Sequence, residues 1–273
     1  MLTINELRIY PIKSLGGISV TEAAVEGKGF RYDRRWMLVT PDGQFITQRT
    51  YHQMALIDVA LTGHCLRVWH RHRPNDVLEI AFDEYTGEHL PVTVWDSHGI
   101  DSVVVSEAAD RWFTAAVGVP CRLVYMPEES QRQADLTYAR NGEIVSFADG
   151  FPYLLISQAS LDELNRRLDV PVVMLRFRPN IVVAGGEPHQ EDGWDQFRIG
   201  DLDFYAAKPC ARCVLTTVDP ATGQKGKEPL RTLGTYRQKN NKIYFGQNVL
   251  SQSAGVVRVG DQLEIISHRT PVL

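Results

Sequence analysis

The stretch KPCARCVLTTVDP, residues 208–220, contains the most informative pattern in the chain. It places two thiols, Cys210 and Cys213, three positions apart, with Arg212 between them and Lys208 just before them. The residues that follow are mostly β-branched and predict a strand. A thiolate is stabilised by nearby positive charge, and it is the form that binds soft metals or attacks electrophiles. The stretch therefore predicts a redox or metal site beside a strand.

Most of the remaining sequence also alternates in the way that strands do. Residues 35–40 and 44–47 flank a Pro-Asp-Gly turn and predict a hairpin. Turns rich in Gly, Pro and Asp separate further β-rich runs, which indicates a barrel or sandwich. These runs are residues 77–82, 92–95, 102–105, 122–125, 181–183, 203–206 and 256–266.

Two helices are predicted among these strands. Residues 106–117 begin with Ser106 as an N-cap and end before Gly118. Ser160 and Glu163 have the spacing of a capping box, so they predict the start of a second helix. The predicted fold class is therefore mainly β (α+β), with a few short helices.

The composition excludes several functional classes. The 273 residues carry a net charge of -4, whereas nucleic-acid-binding domains are usually basic. Four scattered cysteines are too few for a secreted disulfide framework. The N-terminus does not resemble a signal peptide, and no run approaches the roughly 20 apolar residues of a membrane span. We expect a cytoplasmic protein with no nucleic-acid or membrane partner.

The cysteine pair has three other interpretations. Structural zinc needs about four ligands, and the chain has only one Cys-x-x-Cys motif. A thioredoxin-type dithiol lies where a strand gives way to a helix, but strand-forming residues follow Cys213. A cysteine can also be a small buried hydrophobe, which is the default for Cys65 and Cys121 and is possible for Cys210.

Cationic residues recur beside turns and aromatic residues. Lys13, Arg34, Arg49 and Arg178 each have such a position. Taken singly, each would more often be a surface charge. If they converged on one site they would suit a phosphate, which arginine and lysine bind by bidentate hydrogen bonds or as point charges.

Together these motifs resemble the MOSC superfamily of molybdenum-cofactor-binding domains, and most closely the branch of the mitochondrial amidoxime reducing component and the bacterial YcbX-type proteins. The resemblance covers nearly the whole chain. It rests on seven stretches that occur in order: YPIKS (10–14), DRRW (33–36), SFADGFPYL (146–154), FRPNIVV (177–183), CARCVLTTVDP (210–220), EPLRTL (228–233) and FGQN (245–248).

The resemblance implies an N-terminal MOSC β-barrel-like domain at 1–118, a MOSC β-barrel domain at 119–273 and a molybdenum cofactor between them. It assigns the protein ligand of the metal to Cys213 and places Asp149 near the metal, so both are predicted catalytic residues. Gly150 replaces a hydroxyl-bearing residue of the mitochondrial branch. The predicted cofactor contacts are Lys13, Ser14, Arg34, Arg49, Asp149, Gly150, Arg178, Ala211, Arg212, Cys213 and Asn248.

The implied activity is reduction of N-hydroxylated compounds, such as amidoximes and N-hydroxylated nucleobases. Many YcbX-type proteins carry an iron–sulfur domain, but this chain has no cysteine after Cys213. We therefore expect no Fe–S cluster on this chain, since a cluster needs about four cysteines. Electrons would come from a separate flavin reductase, ferredoxin or cytochrome b5-like protein. The alternative is a non-catalytic carrier of the cofactor or its sulfur, for which we would expect a covered cofactor rather than an open pocket.

Overall fold

The computed structural model describes residues 1–273 and consists mainly of β-strands. The strands are β1 (Leu2–Ile9), β2 (Ile18–Val20), β3 (Glu22–Glu26), β4 (Gly29–Phe30), β5 (Trp36–Val39), β6 (Ile57–Leu61), β7 (Cys65–His70), β8 (Arg73–Ala81), β9 (Val92–Val94), β10 (Ser97–Ile100), β11 (Val103–Val104), β12 (Arg122–Tyr125), β13 (Tyr153–Ser157), β14 (Ile181–Ala184), β15 (Trp194–Ile199), β16 (Leu202–Ala211), β17 (Gln238–Lys239), β18 (Lys242–Ser251), β19 (Gly255–Arg258) and β20 (Gln262–His268).

The helices are few and short. The α-helices are α1 (Glu107–Val117), α2 (Gln158–Arg166) and α3 (Leu230–Gly234), and there are 3-10 helices at His52–Leu56, Met174–Arg176, Gln190–Gly193 and Val214–Thr217. None of the α-helices has the length and apolar character that crossing a membrane would require.

Seven strands close into a barrel in the order β13-β14-β1-β20-β15-β16-β18, and β18 pairs back to β13. All of these pairs are antiparallel except β13–β14. A core of 19 buried residues belongs mainly to these strands; in β1 the fully buried positions are Ile4, Leu7 and Ile9. Closure removes the open sheet edges that would otherwise need covering. The predicted mainly-β class is confirmed.

A second core of 17 buried residues lies among β5, β6, β7, β8, β12 and helix α1. As predicted, Ser106 is the N-cap of α1: its side chain accepts a hydrogen bond from the Ala109 N–H. The helix ends before Gly118, which has a left-handed φ of 82°. The predicted domain boundary between residues 118 and 119 stays a prediction. An N-terminal strand, β1, pairs within the C-terminal barrel, and a strand after the boundary, β12, pairs with β5 of the N-terminal part.

The prediction of a strand after Cys213 is wrong. Strand β16 ends at Ala211, before the second cysteine, and a 3-10 helix at Val214–Thr217 follows. The hydroxyls of Thr216 and Thr217 donate to backbone carbonyls three residues earlier, at 3.0 and 2.7 Å. These local bonds support a tight turn where β-branching alone favoured a strand.

Three further boundaries differ from the prediction. The N-cap of helix α2 is Ser157, whose side chain accepts a hydrogen bond from the Ser160 N–H, so Ser160 lies inside the first turn. Residues 256–266 split into β19 and β20 at a turn where Gly260 has a φ of 92°. In the predicted hairpin the second limb is not a continuous strand: Phe45 forms an isolated bridge to Val39, and Gln44 forms another to Thr93.

Candidate functional site

An open cleft with a cavity volume of about 240 Å³ lies between segments from both halves of the chain. All eleven residues predicted to contact a cofactor line this cleft, although they come from seven separate segments. They are Lys13, Ser14, Arg34, Arg49, Asp149, Gly150, Arg178, Ala211, Arg212, Cys213 and Asn248.

Each thiol of the cysteine pair has its own arginine. Arg49 donates its Nε–H to Cys213 Sγ at 3.1 Å, and Arg212 donates its Nη1–H to Cys210 Sγ at 3.0 Å. Lys208, predicted to support the thiols, instead directs its ammonium to Asp135 at 3.3 Å. A guanidinium beside a partly accessible sulfur is the setting in which thiolates bind metals or react. Both cysteines are half-buried and free.

The Asp149 carboxylate gathers three donors beside Cys213. It accepts from Lys13 Nζ at 2.7 Å, from Arg49 Nη2 at 2.6 Å and from Trp95 Nε1 at 3.2 Å. The side chain of Asp149 is 57% exposed, but the surrounding protein partly desolvates it, which raises its pKa. The charges of Lys13 and Arg49 outweigh this effect and hold that pKa well below its usual range. Burial lowers the pKa of Lys13 to about 8, against the raising effect of Asp149. Both groups are therefore charged at neutral pH.

The loop that carries Asp149 is fixed by a buried arginine. The guanidinium of Arg132 donates to the backbone carbonyls of Ser146, Ala148 and Asp149. Burial lowers the pKa of Arg132 to about 10, which still leaves it charged at neutral pH. These three bonds satisfy carbonyls that no strand would pair, so they hold the loop in place.

The opposite side of the cleft is a cationic wall built on Tyr10. The guanidiniums of Arg34 and Arg178 lie over its ring, 4.5 and 4.2 Å from the ring centroid. Tyr10 is fully buried, and cation–π contacts are strongest when they are desolvated. Arg34 also donates to Asp33 at 2.5 Å and to Asn180 at 2.9 Å. The wall is thus held rigidly before any ligand binds.

Two buried donors on the cleft-lining arginines have no partner. They are Nη2 of Arg178 and Nε of Arg212. An unsatisfied buried donor costs about 1–3 kcal/mol, so a ligand with several acceptor oxygens or nitrogens would be stabilised here. Ser14, Arg34 and Arg178 also have left-handed φ angles of 69°, 51° and 57°. Such backbone strain in non-glycine residues is concentrated at ligand sites.

The charge and the donor set fit a molybdenum cofactor. Five cationic side chains and one carboxylate line the cleft, which favours an anionic group such as a phosphate. No group of three or more His, Cys, Asp or Glu side chains is arranged to hold a metal ion. A metal at Cys213 would therefore need ligands from a bound cofactor as well as the one thiol.

Four residues that shape the cleft were not predicted to do so: Tyr10, Trp95, Arg132 and Asn180. Tyr10 and Asn180 stood inside motifs but were given no role. Trp95 was placed at the end of a strand, whereas it lies in the turn after β9. Recognising that Trp95 lies in a turn would have been the only local indication of a role in the cleft. Arg132 lies in a loop whose sequence contains no motif that would predict its role.

Replacing Gly150 by serine is expected to change the free energy of unfolding by less than about 0.5 kcal/mol. A Cβ at this position meets no heavy atom within 4 Å. Gly246→Ser is the matched control, because its φ is +80° and its Cβ would lie 2.6 Å from Ile156 Cγ1. That variant should lose more than about 2 kcal/mol. Urea unfolding of the two variants measures the loss of stability. Equal losses of unfolding free energy would show that position 150 has no room for a side chain.

Comparison with known proteins agrees with this fold and site. Residues 1–120 match the MOSC N-terminal beta barrel domain, and residues 142–264 match the MOSC domain. The chain belongs to the MOSC-domain family that includes the mitochondrial amidoxime-reducing components. Mitochondrial amidoxime-reducing component 1 of Homo sapiens is 34% identical over 285 residues, which is 97% of this chain and 83% of that protein.

Two further relatives show how the similarity is distributed. Mitochondrial amidoxime reducing component 2 of Rattus norvegicus is 36% identical over 280 residues, covering 95% of this chain and 82% of that protein. Molybdenum cofactor sulfurase of Solanum lycopersicum is 30% identical over 292 residues, covering 95% of this chain but 35% of that protein. The chain therefore matches the reducing components over most of their length and the sulfurase over about a third.

Proposed function

We propose that this protein reduces N-hydroxylated compounds, amidoximes among them, by means of a molybdenum cofactor held in the cleft. The observation that carries the proposal is the position of Cys213, whose thiol shares one open cleft with five cationic side chains. The family membership supports the same activity, because relatives that match over most of their length are named for amidoxime reduction.

The residues divide into a metal end and an anion end. Cys213 would supply the protein ligand of the metal, and Ser14, Arg34 and Arg178 would hold the cofactor's phosphate. Lys13, whose ammonium bonds to Asp149, would contact the cofactor nearer the metal. The cofactor, when bound, supplies the two-electron oxygen-transfer chemistry. An amidoxime then takes two electrons and two protons, its N–O bond breaks, and an amidine and water are released.

Asp149 acts in this proposal as a positioning residue. Its pKa is held well below the usual range, so at neutral pH it has no proton to give. It accepts hydrogen bonds from Arg49 and Lys13 and thereby fixes the guanidinium that reaches Cys213. This arrangement supports orientation of the site more than a proton relay through Asp149.

The openness of the cleft favours an enzyme over a carrier of the cofactor or its sulfur. The side chain of Asp149 is 57% exposed and Trp95 is 43% exposed, although both contact Arg49, the residue that donates to Cys213. A substrate therefore has access next to the proposed metal ligand. A protein that only stored the cofactor would be expected to cover it.

The partners and the location form part of the proposal. Electrons would come from a separate redox protein, of the flavin reductase, ferredoxin or cytochrome b5 type, and the cytoplasm is the proposed location. On this basis NADH alone should not support turnover of the purified chain.

The test is reduction of benzamidoxime by protein produced in a molybdenum-replete host. With a chemically reduced viologen as electron donor, we expect benzamidine to form in a time- and enzyme-dependent way. The benzamidine is quantified by chromatography, and protein made without molybdenum is the control. Protein that contains both molybdenum and pterin but forms no benzamidine would contradict the proposed function.

A further inference from the structure

Trp95 occupies the mouth of the cleft in a strained backbone conformation. Val94 pairs with Ser97, so Trp95 and Asp96 form the two-residue turn between β9 and β10. The φ of Trp95 is 54°, in the left-handed region that favours glycine. A bulky residue is a rare occupant of this region. Its side chain must therefore gain enough from contacts to offset the strain.

The contacts of the Trp95 side chain connect it, through Arg49, to the thiol of Cys213. The guanidinium of Arg49 lies 4.5 Å from the centroid of the Trp95 ring, and the ring of Phe45 packs edge-on at 4.9 Å. The indole N–H donates to Asp149 Oδ1 at 3.2 Å. Arg49 in turn donates to Cys213 Sγ at 3.1 Å. The indole is thus held one residue away from the proposed metal ligand.

Part of the indole nevertheless remains open. Trp95 is 43% exposed and lines the cleft, whereas the other four tryptophans are buried or half-buried. Leaving so large an apolar surface in water sacrifices the favourable free energy of burying it. An exposed, oriented indole at the mouth of a ligand cleft is therefore well placed to cover a flat ligand.

We infer that Trp95 is a substrate platform that selects N-hydroxylated compounds with a planar aromatic or heteroaromatic body. The inference rests on the proposed function, and it adds the substrate class and the residue that recognises it. The ring of such a substrate packs against the exposed part of the indole, and its N-hydroxyl group points toward Cys213. An aliphatic substrate has the same reacting group but no ring to pack.

The test compares benzamidoxime with acetamidoxime, which share the amidoxime group and differ in the ring. The holoenzyme is assayed with reduced viologen as wild type, Trp95→Gly and Trp95→Phe. Glycine removes the ring and suits the left-handed backbone, so this variant should fold. Trp112→Leu is the matched control, because its indole N–H also donates to a carboxylate, that of Asp76 at 3.0 Å, outside the cleft.

We expect Trp95→Gly to raise KM for benzamidoxime about threefold to tenfold, the range that aromatic packing contributes. Its KM for acetamidoxime should change by less than about twofold. Trp95→Phe and Trp112→Leu should keep the wild-type ratio of the two KM values. An unchanged ratio in Trp95→Gly overturns the inference, as does an equal fall in kcat for both substrates without a change in KM, because that result means that Trp95 only positions Arg49.

Calorimetric titration of benzamidoxime into the oxidised holoenzyme separates this inference from the proposed function. Wild type should bind benzamidoxime about threefold to tenfold more tightly than Trp95→Gly. If this difference appears while neither substrate is reduced, the platform stands and the proposed function fails. If both substrates are reduced and Trp95→Gly binds benzamidoxime as tightly as wild type, the platform fails and the function stands.

Discussion

Replacing Cys213 by serine is expected to lower kcat for benzamidoxime reduction at least about 100-fold. Mutation of groups that merely support a metal ligand typically costs 10–100-fold, and Cys213 is the proposed ligand itself. A serine hydroxyl is a hard, weakly acidic donor, whereas a thiolate suits a soft sulfur environment. The loss should therefore appear in kcat and in the molybdenum content of the same preparation.

Cys210→Ser is the matched comparison for this prediction. The two thiols are three residues apart and line the same cleft, but only Cys213 accepts the hydrogen bond from Arg49. We expect Cys210→Ser to keep kcat within about threefold of wild type, since a surface-accessible side chain with one lost hydrogen bond to Arg212 costs little. Equal losses in the two variants would mean that the assignment of the ligand to Cys213 is wrong.

Replacing Arg178 by methionine is expected to lower the pterin content per chain at least about tenfold when the cofactor is limiting. A hydrogen bond to a charged group contributes about 1.5–3 kcal/mol, which corresponds to about a 10- to 150-fold change in affinity. Arg178 has one buried donor without a partner and another that bonds to the Leu15 carbonyl at 2.7 Å. The free donor is the one that a phosphate oxygen would take. Fluorescence of the oxidised pterin, released from a known amount of protein, measures the effect.

Two further variants make this result interpretable. Arg178→Lys keeps the charge but loses the fork of donors, so its pterin content should be intermediate. Arg198→Met removes an exposed arginine that pairs with Asp203 on the barrel, and it should retain the wild-type content. Wild-type pterin in Arg178→Met would show that this arginine does not hold the anionic end of the cofactor.

The local parts of the fold could be predicted from sequence, and the non-local parts could not. Helix α1 was recognisable because both of its ends carry their own signals, Ser106 and Gly118. Closure of the barrel depends on the pairing of β13 with β18, which are about 90 residues apart. The hydrophobic pattern of a strand does not specify its partner strand. The alternation of apolar and polar residues was therefore equally compatible with a barrel and with a sandwich.

The membership of the candidate site could be predicted from motifs, but its internal contacts could not. Lys208 is close to the thiols in sequence, yet strand β16 has irregular pairing between Ala206 and Lys208 and again between Pro209 and Ala211. Such irregularities redirect side chains, and Lys208 contacts Asp135. Arg49, which does contact Cys213, lies 164 residues away in sequence. No local pattern reveals that contact.

The most direct measurement is the content of molybdenum and of pterin in one preparation of the wild-type protein from a molybdenum-replete host. Elemental analysis and fluorescence of the oxidised pterin should give equal amounts of the two, approaching one of each per chain. The cleft contains both the Cys213 thiol and the cationic wall, so it should retain the metal and the pterin together. Protein that is fully folded yet free of pterin, or that holds zinc at the Cys213 thiol, would contradict this account.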